Sequence, residues 1–383
     1  MTDRIKIKSF SWHRLVAIII KEFIQLLRDR GTLAIVIGIP IMQLILFGYA
    51  INTNPKHLPT VIIAEDHSDF TRAFIYGLKN SDYFAITGEA KNEADAKRLL
   101  ATGRTQFVLT IPSDFTRTLL RGEKPQLLIE ADATDPVATG TALSVIKTLP
   151  QTVFNHLLVG NLQDLRGTPL SINVVAHAKY NPENITQFNI VPGLLGVVLT
   201  LTLVMVTSAC ITKEREKGTL ENVLSTPARP LEVMLGKITP YVIVGYLQAI
   251  IILIAAIILF AVPIDGNVCL LLCSALPFII ANLSVGIAFS SIASTQLQAA
   301  QASTFFFLPS LLLSGFMFPF AGMPLWAQYI GEALPLTHFL RITRGIMLKG
   351  NGIAQVWPDL WPIMAFMVVA LLIGLKRYRQ TLD

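Results

Sequence analysis

The most constraining feature of this chain is a long stretch without charge, because no Asp, Glu, Lys or Arg occurs between Asp265 and Glu332. Hydrophobic residues make up 52% of the 383 residues, and charged residues only 15%. Ordinary soluble domains carry about 25% charged residues, so a soluble protein does not account for this composition. The sequence therefore predicts an integral membrane protein.

Uncharged runs predict where the chain crosses the bilayer. Crossing ~30 Å of hydrocarbon takes about 20 helical residues at 1.5 Å per residue. The fourth and fifth runs are contiguous, and we divide them at the cluster of Gln296, Gln298 and Gln301. The predicted fold class is a polytopic α-helical membrane protein with six transmembrane helices, at residues 32–51, 188–211, 238–264, 268–294, 303–323 and 360–375.

Basic residues predict the orientation of these spans. Lys and Arg are concentrated before the first span and after the last, so both termini are expected to be cytoplasmic. The first apolar run is full length and lacks a small-residue cleavage site, so it is expected to remain as an anchor. The predicted parts are a cytoplasmic segment 1–31, an extracytoplasmic insert 52–187, a membrane domain 188–375 with a cytoplasmic loop 212–237 and outer helices 324–356, and a cytoplasmic tail 376–383.

The insert alternates between strand-like and helix-like segments. PTVIIA, YFAIT, TQFVLTI and PQLLIEAD read as strands, and a final strand is predicted near 172–178. The predicted helices between successive strands are DFTRAFIYGLKN, NEADAKRLLATG and the short SDFTRTLLRG, and a longer one follows at 136–165. Such alternation predicts an α/β domain. No phosphate loop or catalytic constellation is recognisable in it. The insert is therefore interpreted as a cap or a binding module.

Cysteine content and net charge exclude other functions. Cys269 and Cys273 share a helix face, but no nearby histidine or carboxylate completes a metal site, so no metal is expected. The insert has no cysteine and hence no disulfide framework. The formal net charge of +6 lies mostly beside the membrane. Its expected partners are anionic lipid headgroups rather than nucleic acid.

The predicted spans contain no residue that would couple transport to an ion. Ion-driven carriers usually place Asp, Glu, Lys or Arg inside the membrane, and the six runs have none. The chain also lacks the GxxxxGK[ST] motif of a P-loop ATP site, so no enzymatic activity and no bound cofactor are expected. Two interpretations remain for the polar residues of the spans, hydrogen bonding between helices or contact with a transported molecule: Gln43, Asn189, Gln248 and Asn282.

A charged stretch, KEREKGTLENVLSTPARPLEVMLGK at 213–237, separates two apolar runs. Thr219 is predicted to cap a short amphipathic helix, with Glu221 favourable at its N-terminal end. Gly218 allows a sharp exit from the second span. Two interpretations are open: a loop that lies on lipid headgroups, or a rigid element that passes a push from a docked protein into the membrane.

This stretch and KEFIQLLRDRGTLAIVIGIPIMQLILFGYAI at 21–51 closely resemble the ABC-2 type permeases of bacterial ATP-binding-cassette exporters. The resemblance covers nearly the whole chain, including a large insert after the first span. It implies that the segment after the second span is a cytoplasmic coupling region. The residues then expected to contact or support an ATPase subunit are Glu214, Glu216, Gly218, Thr219 and Glu221.

The resemblance also implies that the helix before the first span lies along the inner membrane surface. Its spacing predicts an apolar face that includes Trp12, Leu15, Val16, Leu26 and Leu27, with polar residues opposite. The charged residues assigned to this inner-surface helix are Arg14, Lys21, Glu22 and Arg28.

The segment LPLTHFLRITRGIMLKG resembles the short outer helices of the family. His338, Arg341 and Arg344 are predicted to share one face of an interfacial helix, with apolar residues on the other. This face is interpreted either as an anchor at the interface or as an outer substrate gate.

The function expected from the resemblance is that of a transmembrane permease subunit of an ATP-driven exporter for a hydrophobic or amphipathic substrate. The expected partners are two ATPase subunits that bind ATP and Mg²⁺, a second permease copy or a similar chain, membrane lipids and a periplasmic adaptor. The expected location is the bacterial inner membrane. Two alternatives stay open from the residues alone: a membrane sensor or scaffold with a ligand-binding insert, and an ion-coupled carrier.

Overall fold

The computed structural model of the protein describes residues 11–50, 55–121, 123, 125–132, 136–157, 181, 183, 185–218 and 229–382. The chain divides into two compact units. Unit 1 comprises Met1–Ile51 and Ile185–Asp383, and unit 2 comprises Asn52–Asn184. Unit 2 therefore interrupts unit 1 along the chain.

Helices dominate unit 1, and strands occur only in unit 2 among the described residues. The helices are α1 Trp12–Arg28, α2 Arg30–Ala50, α3 Asp69–Asn80, α4 Glu93–Ala101, α5 Phe115–Leu120, α6 Pro136–Leu157, α7 Thr186–Glu216, α8 Pro230–Phe260, α9 Val268–Ile292, α10 Gln296–Leu313, α11 Leu325–Glu332, α12 Pro335–Lys349 and α13 Ile353–Leu382. The strands are β1 Leu58–Ala64, β2 Phe84–Glu89, β3 Phe107–Ile111 and β4 Leu128–Ala131.

Four helices within the described residues are long and apolar enough to cross a membrane: α7, α8, α9 and the Ile353–Arg377 part of α13. Each contains most of one predicted span. α7 and α8 both extend beyond those spans, toward loop 212–237. α2 covers the first predicted span, and its apolar part is Val36–Ala50. The protein is thus a multi-pass helical membrane protein, while the count of six spans remains a prediction.

The fifth span was placed incorrectly at 303–323. α10 begins at Gln296 and ends at Leu313, so the glutamine cluster lies inside the helix. The helix starts there because the Thr295 hydroxyl accepts a hydrogen bond from the Gln298 amide at 3.3 Å, as an N-cap does. It ends where Gly315 adopts a left-handed conformation, with φ of 82°. A short 3-10 turn at Phe320–Gly322 follows.

α7 lies at the centre of unit 1 and packs against α2, α8, α9, α10 and α12. In the candidate membrane-spanning segment of α7, 72% is buried inside the protein, against 17% in the corresponding segment of α13. The closest approach is to α9, where a Cβ at Gly286 would come within 2.7 Å of the Val204 carbonyl oxygen. Glycine at this position therefore lets the two helices touch.

The interfacial position of α12 stays a prediction, but the helix is packed more deeply than an amphipathic surface helix. Most of its residues are buried in unit 1, and the Phe339 ring stacks on Phe278 with centroids 4.0 Å apart. On its polar face His338 is buried, whereas Arg341 is exposed and pairs with carboxylates of α11 and α13. The helix is therefore part of the packed bundle.

Unit 2 is a four-stranded sheet with the order β2-β1-β3-β4. β1 pairs in parallel with β2 and β3, and β4 pairs antiparallel with β3. α3 spans the same residues as its predicted segment, because Ser68 caps it by accepting from the Thr71 amide. Phe74, Phe107 and Phe154 contribute to a core between the sheet and its helices. The strand predicted near 172–178 lies outside the described residues.

Candidate coupling site

Three helices of unit 1 meet at the ends that adjoin loop 212–237. α1 packs on the first turns of α8, where a Cβ at Gly236 would come within 2.5 Å of the Ile18 Cγ2 atom. α7 reaches the same place because its helix continues to Glu216. The charged residues that gather here are called the inner charge cluster: Lys21, Glu22, Glu214 and Lys237.

Lys237 joins all three helices. Its Nζ atom donates to the Glu22 Oε1 atom of α1 at 3.1 Å and to the Glu214 Oε1 atom of α7 at 2.8 Å. The Lys237 side chain is only 2% exposed, and both carboxylates are 6% exposed. A charge this deeply buried is tolerated only when it is paired and hydrogen-bonded. Lys237 of α8 therefore holds the ends of α1 and α7 together.

Lys21 is the fourth residue of the inner charge cluster. Its ammonium group lies 3.0 Å from both the Glu22 and the Glu214 carboxylates, so two lysines balance two glutamates. Burial alone would raise the pKa of the Glu22 carboxyl, but Lys237 and Lys21 outweigh it and hold that pKa below its usual range. The Glu22 carboxylate is therefore ionised at neutral pH.

Glu232 anchors the beginning of α1. Its carboxylate, which is fully buried, accepts from Arg14 Nε at 3.1 Å and Nη2 at 2.9 Å. It also accepts from the backbone amides of Ser11 at 2.8 Å and Arg229 at 2.9 Å. Bidentate binding by arginine adds both strength and geometric specificity. One side chain thus fixes the starts of both α1 and α8.

Further contacts fasten the end of α7. Arg215 donates to the Ala293 carbonyl of α9 at 3.0 Å, and the Ser290 hydroxyl accepts from the Ile211 amide at 2.9 Å. Lys213 pairs with Asp29 at 2.6 Å, each side chain being 34% exposed. The inner end of α7 is therefore tied to α1, α8 and α9.

The five residues predicted to contact or support an ATPase have different surroundings. Glu214 is buried in the inner charge cluster, which leaves it a supporting position rather than a contact surface. Glu216 is exposed and accepts hydrogen bonds from the backbone amide and the side chain of Gln296. Gly218 follows the end of α7 with φ of 67°, a left-handed conformation that favours glycine. Thr219 and Glu221 lie outside the described residues.

The assignment of α1 to the inner membrane surface stays a prediction. On its predicted apolar face Trp12 is 70% exposed, whereas Leu15 and Leu26 are buried against other helices. Arg14, Lys21 and Glu22, which were assigned to this helix, bind residues of α7 and α8. The reason is that α7 and α8 extend past the membrane spans and offer matching charges. Arg28 ends α1 and is exposed.

The polar residues of the spans have different surroundings. Gln248 is buried, donates to the Val36 carbonyl at 2.6 Å and accepts from Thr202 at 2.9 Å, so it bonds three helices together. Asn282 donates to the Phe278 carbonyl of its own helix at 2.9 Å. Within the described residues, the carbonyl oxygen of the Gln43 side chain is buried without a hydrogen bond. The Asn189 backbone carbonyl accepts from Arg344 at 3.3 Å.

The structure separates the three residues of the predicted outer face. His338 is buried between Asp359, 2.8 Å from Nδ1, and the Glu332 carbonyl, 2.9 Å from Nε2. Arg341 pairs with Glu332 at 2.5 Å and lies over the Phe320 ring. His338 and Arg341 thus join α11, α12 and α13.

Arg344 lies apart from that group. Its guanidinium donates to the carbonyls of Asn189 and Gly315, both at 3.3 Å, and its Nη2 atom is buried without a hydrogen bond. Burial lowers its pKa from the ordinary value for arginine. Arg344 therefore bonds α12 to the start of α7 and the end of α10.

We expect the packing of α11, α12 and α13 to lose stability as pH rises. Burial alone would lower the pKa of His338, but hydrogen bonds to Asp359 and to the Glu332 carbonyl raise it above its ordinary value. The stabilisation is complete below about pH 6.5, the ordinary histidine pKa, and is lost as pH rises through the raised pKa of the folded state. Equilibrium unfolding in mixed micelles across this range checks the sign. The variant His338→Gln is expected to lose this part of the pH dependence, and an unchanged dependence would contradict the assignment.

The long apolar helices of unit 1 define a multi-pass membrane protein. The chain belongs to the ABC-2 family: the model described as "ABC-2 family transporter protein" matches residues 30–376. It is 28% identical over 353 residues to the probable multidrug ABC transporter permease YbhR of Escherichia coli, which covers 92% of this chain and 95% of that protein. Identity to the probable multidrug ABC transporter permease YbhS of the same organism is 29% over 344 residues, covering 89% of this chain and 90% of that one.

A eukaryotic relative extends the similarity. The chain is 24% identical over 367 residues to ABC transporter G family member 20 of Dictyostelium discoideum. The match covers 94% of this chain and 50% of that protein. The family assignment made from the two motifs is therefore confirmed.

Sequence reasoning missed two residues that organise the site, Glu232 and Lys237. Lys237 directly precedes the apolar run from Ile238, where a lysine is ordinarily expected to face lipid headgroups, so no local signal marked it as buried. Glu232 follows Pro230 at the third position of α8, where its carboxylate accepts from the Arg229 amide. That spacing is typical of the acidic partner in a capping box.

Proposed function

We propose that this permease forms the export pathway for a hydrophobic or amphipathic, drug-like molecule and that a separate ATPase supplies the energy. The observation that carries the proposal is the inner charge cluster, in which Lys237 binds Glu22 and Glu214 at once. A force applied at loop 212–237 acts directly on α7 and α8, which the loop connects. The inner charge cluster then transmits this force to α1. The substrate class is supported by the printed names of YbhR and YbhS, both probable multidrug permeases.

The complete transporter is proposed to contain two permease chains, identical or similar, and two ATPase subunits that bind ATP and Mg²⁺. It is proposed to lie in the bacterial inner membrane with both termini cytoplasmic, so that loop 212–237 faces the ATPase. Unit 2 is proposed to be extracytoplasmic and to meet a periplasmic adaptor. The basic ends of the chain support this orientation.

Charge reversal at Glu216 tests the coupling surface. Glu216 is exposed, unlike Glu214, so Glu216→Lys is expected to leave the fold intact and to weaken co-purification of the ATPase by about tenfold. Pull-down of the ATPase with the tagged permease measures this. Glu93→Lys in unit 2, also an exposed glutamate, is the matched control and should change nothing. Unchanged co-purification with Glu216→Lys removes this residue from the coupling surface.

Reconstitution distinguishes the alternatives. Uphill export that requires the ATPase and ATP supports the proposal. Export that persists without the ATPase in energised vesicles indicates an ion-coupled carrier. Ligand binding by the chain without any export, with an inactive ATPase complex, indicates a sensor or scaffold.

A further inference from the structure

Unit 1 contains a half-open cavity beside the inner charge cluster. Its volume is about 310 Å³, and its walls come from α1, α2, α7, α8 and the first residue of α10. Small-molecule sites in proteins occupy about 300–1,000 Å³, so the cavity is large enough for a ligand. None of the residues assigned to substrate contact from the sequence lines it.

The cavity is long and differs between its two ends. Lining residues on α7 run from Leu201 to Glu214, which at 1.5 Å per residue is about 20 Å. Leu201, Met205 and Ala209 line one part together with Val36 of α2. The other end is lined by charged groups of α1 and α7. An elongated space with one apolar and one polar end matches a single-chain amphiphile.

Among the described residues, the charges at the polar end cancel. Glu22 and Glu214 line the cavity and are neutralised by Lys21 and Lys237. Asp29, which also lines it, is paired with Lys213 at 2.6 Å. A ligand with a net charge would therefore lose hydration without gaining an opposite charge in return. The favoured head group is neutral overall.

Hydrogen-bonding groups remain for such a head group. Tyr241 and Gln25 line the cavity, and within the described part of the chain neither side chain makes a hydrogen bond. A tyrosine that is partly buried normally hydrogen-bonds through its hydroxyl, and Tyr241 is half-buried. The head group of a ligand is suited to be that partner.

We propose that this cavity binds a single-chain amphiphile with a zwitterionic or uncharged head group, its chain lying between α2 and α7 and its head group near Tyr241. The inference rests on the proposed function only for the statement that the bound molecule is exported. Binding itself depends on the cavity alone. A membrane lipid and an export substrate share this chemistry, and the experiment separates them.

Photolabelling tests the site directly. The full-length permease in nanodiscs is labelled with three diazirine probes that share one alkyl chain and carry a phosphocholine, a trimethylammonium or a sulfate head group. Mass spectrometry is expected to locate phosphocholine-probe adducts on Met205, Val206 and Ala209. The two charged probes are expected to label these residues more weakly.

Two variants and one control sharpen the result. Ala209→Trp fills the cavity and is expected to reduce labelling there about tenfold, equivalent to about 1.4 kcal/mol. Ala365→Trp makes the same change at an exposed position of α13 and should leave labelling unchanged. Tyr241→Phe removes one hydroxyl with little effect on packing, and should weaken labelling by the phosphocholine probe. Equal labelling of the cavity in all variants, or equal labelling by all three probes, overturns the proposal.

The source of the ligand is decided in proteoliposomes that contain the ATPase. A phosphocholine probe that is moved in an ATP-dependent manner is a substrate, whereas a probe that labels the cavity but is never moved occupies a resident lipid site. Both outcomes keep the binding site. Labelling of the cavity without ATPase association would contradict the proposed function alone, and absence of labelling in an active exporter would contradict the cavity proposal alone.

Discussion

Replacement of Lys237 by methionine is expected to destabilise unit 1 by about 3–5 kcal/mol, the usual cost of breaking a buried ion pair by removing one partner. Methionine keeps most of the side-chain volume, so the loss comes from charge. Glu22 and Glu214 then remain buried, with Lys21 as the one lysine of the cluster between them. Equilibrium unfolding in mixed micelles measures the effect.

Lys213→Met is the matched control for this experiment. Lys213 also forms an ion pair near the inner end of α7, but it and Asp29 are each 34% exposed. Partly exposed pairs contribute only about 0–1 kcal/mol, so the control should change stability little. The double variant Lys237→Met with Glu214→Gln should recover part of the loss, because it removes one uncompensated charge. Equal effects of the two lysine variants would contradict the role given to Lys237.

Replacement of Glu232 by alanine is expected to release the beginning of α1. The carboxylate accepts four hydrogen bonds, two from Arg14 and one each from the Ser11 and Arg229 amides. Truncating one member of a buried, hydrogen-bonded charge pair costs about 2–5 kcal/mol. Hydrogen exchange should accelerate in the first turns of α1. In the transporter, we expect ATP hydrolysis to continue while export falls.

Glu232→Gln serves as the control for shape. Glutamine keeps the volume and one acceptor oxygen, so the amides of Ser11 and Arg229 retain part of their bonding while the charge is lost. Its effect on exchange in α1 should lie between those of wild type and alanine. Unchanged exchange in the alanine variant would show that other contacts hold α1 in place.

Local patterns made part of the fold predictable. Uncharged runs located the long helices, because charged side chains are costly in the hydrocarbon core and membrane-spanning helices therefore contain few of them. α3 was predicted to the residue, since Ser68 before an amphipathic segment is a local start signal. The fifth span was misplaced because glutamines are ordinary residues inside a helix, and the true boundary depended on Thr295 and Gly315.

Contacts between distant residues could not be predicted in the same way. Glu22 and Lys237 are separated by 215 positions, and no local pattern says that they meet. Their contact follows from the packing of α1 on α8, in which Gly236 allows Ile18 to approach. The partners of the polar residues of α12 could not be predicted for a related reason, because His338 pairs with Asp359 of α13 and Arg341 with Glu332 of α11.

The contact of Gly286 with Thr207 and Val204 has a consequence for movement. Where two backbones touch, sliding one helix past the other would drive atoms into each other, and packed interiors yield little to such shear. During a transport cycle α7 and α9 are therefore expected to travel as one rigid pair. Hinge motions of the transporter are then expected at helix contacts that are packed less tightly.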